Sequence, residues 1–175
     1  MSLETIVATT VPTTAGPVSV LASPDGVVRA AGFASVPTMA ARLDQAAGPF
    51  ALREVGTDDP ALVVAIDALR AYDAGDHGAL GSVPVAQPGG PFMQDAWLAM
   101  RQIAPGSTLT YAGLAAAAGR PTAVRAAGSA CARNLVAPFV PCHRVVRTGG
   151  ALGGYYYGLD VKSALLRVEK ADAAR

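Results

Sequence analysis

Several kinds of residue are scarce in this chain, and each shortage closes off a class of protein. Only two cysteines, Cys131 and Cys142, occur among 175 residues, too few for a disulfide scaffold. Only two histidines occur, His77 and His143, and the four groups together lack zinc-type spacing. Free thiols, no metal and no cofactor are therefore expected, in a reducing, cytoplasmic setting. No apolar run is long enough to span a membrane. The N-terminal stretch MSLETIVATTVPTTAGP has no basic region of the kind that opens a secretory signal. The chain reads as soluble and intracellular, with no membrane partner. Lysine is missing from residues 1–91, where four arginines face nine acidic residues for a net charge of −5. Residues 92–175 carry ten basic and four acidic residues, a net +6. A basic half of this kind suits a polyanion, with chance segregation in a two-lobed protein as the plain alternative.

What is present is a globular composition, 51% hydrophobic and rich in alanine, glycine and valine, in a chain long enough to bury a substantial core. The class is α+β. A first lobe over 1–83 carries a hairpin, PVSVLAS and GVVRAAGFA joined by Pro24-Asp25-Gly26. Helical spacing follows in PTMAARLDQAAG and PALVVAIDALRAYDAGD, with Leu62, Ile66 and Leu69 on one face. His77 reads as a solvated turn residue. Residues 84–91, rich in proline and glycine, read as a linker.

The second lobe, 92–175, is mainly helical. FMQDAWLAMRQIAPG puts Phe92, Ala96, Ala99, Met100 and Ile103 on one side, with Trp97 as a core or interlobe anchor. STLTYAGLAAAAG, closed by Gly119, is followed by RPT and AVRAAGSACARN, the pattern of a helix-turn-helix. Thr122 is the expected N-cap of the second helix, which places Arg125 in its first turn. Then comes APFVPCHRVV, read as a buried apolar strand interrupted by prolines. Neighbouring residues of a strand point to opposite faces, so Cys142 and His143 need not bond directly; a bend or a bridging water would be required. On these residues alone Cys142 is either a nucleophile, its thiolate favoured by positive charge from Arg144, Arg147 or an imidazolium, or an inert buried thiol.

The ordered motifs LTYAGLAAAAG, AVRAAGSACARN, PCHRVVR and GLDVKSALLRVE, with Asn134 eight residues before Cys142, resemble the O6-alkylguanine-DNA alkyltransferases, the methylated-DNA–protein-cysteine methyltransferases. The resemblance runs from about Phe92 to Glu169. It implies a ribonuclease-H-like first lobe with antiparallel strands, loosely matched. It also implies direct repair: the protein flips an alkylated guanine out of double-stranded DNA, and Cys142 takes the alkyl group irreversibly, once per molecule. In that scheme His143 draws the thiol proton through water, Glu169 orients His143, Tyr111 donates a proton to the base, and Asn134 holds the pocket wall. Arg125 would fill the gap left by the flipped base, and Ala123 and Ala126 would allow close approach in the minor groove. Thr122, Arg120 and Thr148 would also touch DNA. Tyr155, Tyr156, Val145 and Cys131 would line the pocket, Cys131 being in itself an ordinary helix-packing residue. The resemblance implies a monomer off DNA, with no cofactor or metal. Tyr156 and Tyr157 stand where some relatives have small residues, so methyl is the expected adduct. The alternative is a non-catalytic lesion sensor or regulator that binds DNA; a cysteine hydrolase would leave the basic lobe and the helix pair unexplained.

Overall fold

The structure, a computed structural model, describes residues 2–173. It divides into two compact units, one built from the chain up to Pro88 with Leu135–Phe139, the other from Gly89–Asn134 with the chain from Val140 onward. The division falls inside the proline- and glycine-rich stretch. The return of 135–139 to the first unit is something a single linear cut does not anticipate.

In the first unit the hairpin forms as the turn residues dictate. Strands β1 (Thr5–Val11), β2 (Val18–Ala22) and β3 (Val28–Gly32) are successively antiparallel, and β4 (Ala51–Glu54) adds to β1 in parallel, giving the order β3-β2-β1-β4. Gly26, at φ +87°, reverses the chain between β2 and β3 where a side chain would be strained. Helix α1 (Val36–Ala47) starts at Ser35, whose hydroxyl accepts from the Thr38 amide, and buries Val36, Met39 and Leu43. Helix α2 (Val63–Asp73) buries the expected stripe, with Leu62 and Ile66 at 0% exposure and Leu69 at 1%. Burying each such side chain contributes about 1.5–3 kcal/mol. His77 is not solvated: it is buried, its ring edge-on to Tyr72 with centroids 5.1 Å apart. The stretch read as a linker, as far as Pro88, is also part of this unit. Val85 bridges Val28, and the Gln87 Oε1 accepts from the Leu135 amide at 2.8 Å.

The second unit holds α3 (Pro91–Arg101), β5 (Leu109–Thr110), α4 (Tyr111–Ala117), α5 (Val124–Ala132), β6 (Val145–Val146) and α6 (Leu159–Ala173). Trp97 is a core anchor of this unit, its indole N–H donating to the Ala130 carbonyl at 2.9 Å and so tying α3 to α5. Thr110 caps α4 by accepting from the Gly113 amide. The helix ends where the Gly119 and Arg120 amides bond back to Ala116 and Ala115, with Gly119 at φ +84°. A short turn then leads into α5. Two residues of parallel pairing, Leu109 with Val145 and Thr110 with Val146, join β5 to β6. Because α4 begins immediately after β5 and Cys142 lies just before β6, this pairing brings Tyr111 to Cys142. Among the described residues, no helix is long and apolar enough to cross a membrane.

Candidate active site

The run APFVPCHRVV does not form the expected strand. Pro141, at φ −84° and ψ 66°, makes a tight turn in which the Cys142 amide donates to the Val140 carbonyl at 2.9 Å. Residues Cys142–Arg144 then form one turn of 3-10 helix, closed by the Arg144 amide on Pro141, before the chain extends as β6. Proline's fixed φ is the cause: it bends the backbone at the point where apolar periodicity alone would carry a strand onward. In such a turn successive side chains diverge by about 120°, so Cys142 and His143 point different ways, by a different geometry from a pleat. The Asn134 Nδ2 donates to the same Val140 carbonyl at 2.8 Å, holding the corner from the end of α5.

Behind the corner lies a buried charge network. His143 is fully buried, and its Nε2 is 2.8 Å from the Glu169 Oε1. Glu169 also accepts from the Arg144 Nη2 at 2.9 Å and Nε at 3.1 Å, while the Arg144 Nη1 donates to the Ile103 carbonyl at 2.7 Å. Glu169 is 1% exposed and is no solvated helix carboxylate. Burial alone would push its carboxyl up, but the His143 and Arg144 hydrogen bonds outweigh it and hold it well below the usual range. A carboxylate only accepts, so Nε2 carries the imidazole proton. Burial, aided by Arg144 and Lys162, holds the His143 imidazole below its ordinary value against the pull of Glu169. Neutral His143 therefore presents a basic lone pair at Nδ1, which is buried and has no hydrogen-bond partner among the described residues.

Both shifts have the same consequence in acid. The unfolded chain binds protons on these two groups at a pH where the folded chain does not, so stability rises with pH there. The His143 contribution is complete above the ordinary imidazole value and lost as pH falls below it; the Glu169 contribution is complete above the ordinary carboxyl value and lost below that. The melting temperature is expected to fall in two stages, below about pH 6.5 and again below about pH 4.3. A melting temperature unchanged from pH 7 to pH 4 would contradict the network.

In front of Cys142 is a cavity of about 260 Å³ lined by Tyr111, Gly128, Cys131, Ala132, Cys142, Gly154, Tyr155 and Tyr156. Burial raises the Tyr111 hydroxyl above its ordinary value, and charge on either cysteine would raise it further, so it remains a proton donor at neutral pH. Gly153 is required beside it: a Cβ there would lie 2.7 Å from the Tyr111 Oη. Cys131 also faces the cavity, but burial and Cys142 push its thiol well up, leaving it protonated and a poor nucleophile. Val145 does not line the cavity. It is fully buried in β6. Tyr156, 55% exposed, stands on the rim, and Tyr157 packs edge-on against both Tyr155 and Tyr156.

The residues expected to meet DNA fall mainly in one stretch. Arg120, Thr122 and Arg125 are exposed and Ala123 and Ala126 half-buried, across the α4–α5 turn and the start of α5. Arg125 is in the first turn, but Thr122 does not cap the helix: Ala123 occupies that position and no side chain bonds there. Arg120 lies 5.9 Å over the Phe92 ring, and Thr148 is exposed in a separate turn after β6. Lys162 is the residue that sequence reading passed over, and the Arg144 cation, expected to favour the Cys142 thiolate, is instead paired with Glu169. Lys162, Leu165 and Glu169 are all at most 1% exposed. Charged groups at the spacing of a helix's apolar stripe are the signal that would have found Lys162.

Residues 91–171 match the family model described as the DNA-binding domain of 6-O-methylguanine DNA methyltransferase. The chain is 47% identical over 94 residues to the bifunctional transcriptional activator/DNA repair enzyme Ada of Escherichia coli K12, spanning only 27% of that protein's length. It is 40% identical over 152 residues to the methylated-DNA–protein-cysteine methyltransferase of Mycobacterium bovis, covering 86% of this chain and 90% of the relative. The crystal structure of Mycobacterium tuberculosis OGT in complex with DNA superimposes with a TM-score of 0.75 at 30% identity, over 96% of this chain and 94% of that one.

Proposed function

We propose, for a chain that belongs to the 6-O-methylguanine-DNA methyltransferase family, that it repairs alkylated DNA by moving the alkyl group from the O6 of a guanine onto its own Cys142. The observation that carries the reading is the opposition, within one small cavity, of the Cys142 thiol and the Tyr111 hydroxyl, with the buried His143–Glu169 pair behind the thiol.

The chemistry follows from these groups. The Cys142 proton passes to the His143 Nδ1, the only open position on that ring, through an intervening water. The imidazolium so formed is held by Glu169. The thiolate sulfur attacks the alkyl carbon in line with its bond to O6; the carbon–oxygen bond breaks and its electron pair stays on the guanine. Tyr111 offers its proton to the base as that charge develops. The product is a thioether, and none of the cavity residues provides a means of breaking a carbon–sulfur bond. Each molecule therefore acts once.

A guanine inside a duplex cannot reach this cavity, so the base is extruded, at an unstacking cost of a few kcal/mol. Arg125, exposed at the start of α5, would fill the vacated stack, and the half-buried Ala123 and Ala126 beside it would let the helix come close to the minor groove. Arg120, Thr122 and Thr148 would contact the phosphates. The occupant best suited to the cavity is O6-methylguanine, because Tyr156 crowds its rim.

With excess duplex containing O6-methylguanine, repaired guanine is expected to plateau at one equivalent per protein within a single exponential phase. Continued turnover beyond one equivalent would rule out the proposal.

A further inference from the structure

Lys162 is 0% exposed, yet it is a lysine. Its Nζ donates to the carbonyls of Val145 at 2.7 Å and Gly154 at 3.1 Å, and to that of Leu152. All three partners are neutral oxygens, so no carboxylate among the described residues cancels its charge. The three carbonyls belong to two stretches that are otherwise joined at the turn where the Arg147 amide donates to the Ala151 carbonyl. Val145 lies in the two-residue strand that follows the Cys142 turn, and Leu152 and Gly154 lie in an irregular loop. That loop carries three of the cavity's walls, Gly154, Tyr155 and Tyr156, and Gly153 within it touches Tyr111. One buried ammonium thus ties the strand beside the nucleophile to the loop in front of it.

We propose that Lys162 is a positioning residue with two effects: it pins the 152–154 loop against β6 to give the cavity its shape, and its uncancelled charge favours the thiolate of Cys142. This rests on the reading of Cys142 as the alkyl acceptor and names a further residue that tunes it.

The charges around Cys142 support the second effect. From α4 it meets Tyr111 and from α5 Cys131, both held protonated. On its own turn it has neutral His143, and Arg144, whose cation is matched by Glu169 of α6. Arg147 is exposed. Among the described residues, Lys162 is the fully buried cation without a carboxylate partner. Burial presses its ammonium down from the ordinary value, and charge on Cys142, then Cys131, presses it back up. The attraction is mutual, so the ammonium stabilises the Cys142 thiolate in turn.

The test measures alkylation of Cys142 by iodoacetamide, located by peptide mass mapping, as a function of pH and without DNA. Lys162→Gln keeps donors for the carbonyls and removes the charge; Lys162→Arg keeps the charge. At pH 7 the Gln variant is expected to react about tenfold more slowly than the parent and to converge with it at alkaline pH, as loss of about 1.4 kcal/mol of thiolate stabilisation requires. The Arg variant is expected to follow the parental profile even where the altered loop slows transfer from methylated DNA. Parental profiles in both variants, or equal displacement in both, would overturn the proposal. If Lys162→Gln does not fold, the Arg variant decides alone: a displaced profile in folded protein overturns it. A normal, Lys162-dependent profile without methyl transfer would fault the repair reading instead, whereas methyl transfer with a Lys162-independent profile would fault only this inference.

Discussion

A Cys142→Ser variant is expected to lose alkyl transfer by about a thousandfold or more, as loss of an enzyme's nucleophile generally does, and to bind duplex DNA as tightly as the parent. The reasons for the two outcomes are separate. An alkyl carbon on oxygen calls for a soft, strong nucleophile, and a serine hydroxyl beside one buried imidazole ionises far less than a thiol. The surface proposed to meet DNA, from Arg120 to Ala126, lies on the α4–α5 turn and the start of α5, apart from the 3-10 turn that carries residue 142. Exchanging sulfur for oxygen at a 6%-exposed site changes volume little, so the stability cost is about 1 kcal/mol. Rapid-quench repair assays and fluorescence anisotropy on the same duplex separate the two. A variant that loses binding along with transfer would mean that Cys142 supports the fold of the DNA-facing surface rather than the chemistry.

Glu169→Gln is expected to damage both stability and rate. Glu169 accepts from the His143 Nε2 and from two nitrogens of Arg144, all of them buried. A glutamine there has one accepting oxygen and an amide that confronts donors with a donor, and it leaves the Arg144 cation unmatched. Breaking a buried pair in this way costs about 3–5 kcal/mol, which for a protein of this size lowers the melting temperature by about 10 °C. The rate of transfer, measured well below that temperature, is expected to fall about a hundredfold, because the imidazolium that forms at His143 has lost its counter-charge. Glu169→Asp should recover part of the charge effect but not the geometry. A Gln variant as stable and as fast as the parent would show that the network is neither structural nor functional.

How much of this was legible in the sequence differs from element to element. The β2–β3 hairpin followed from Pro24-Asp25-Gly26 between β-rich runs, and α1 and α2 from apolar spacing. The α4–turn–α5 pair followed from Gly119 and its small neighbours. Strand β1 was not legible: TIVATTV is buried on both faces over most of its length, so no alternation marks it. Nor was β4, whose four residues are all exposed and which is a strand only through its pairing with β1. His77 sits in loop-like composition, but the covering ring of Tyr72 comes from a residue whose packing no local pattern reveals.

At the site, residue types were legible and their surroundings were not. Asn134, Cys142, His143 and Glu169, named through the family resemblance, do gather around one corner of the chain, but the bend at Pro141 overrode an apolar run that read as strand. Thr122 has the better capping side chain, yet the chain leaves the turn with Ala123 at the cap. Local preference loses there to the tight closure after Gly119. Lys162 was passed over because lysine is ordinarily a surface residue; only its three carbonyl partners reveal its placement.

The central claim is that Cys142 is the permanent acceptor of the alkyl group. Tandem mass spectrometry of the protein after reaction with duplex DNA containing O6-methylguanine tests it most directly. The predicted result is a single added methyl group on the peptide that contains Cys142, at one per molecule, with Cys131 unmodified. A methyl group on Cys131, or repaired DNA with an unmodified protein, would contradict it.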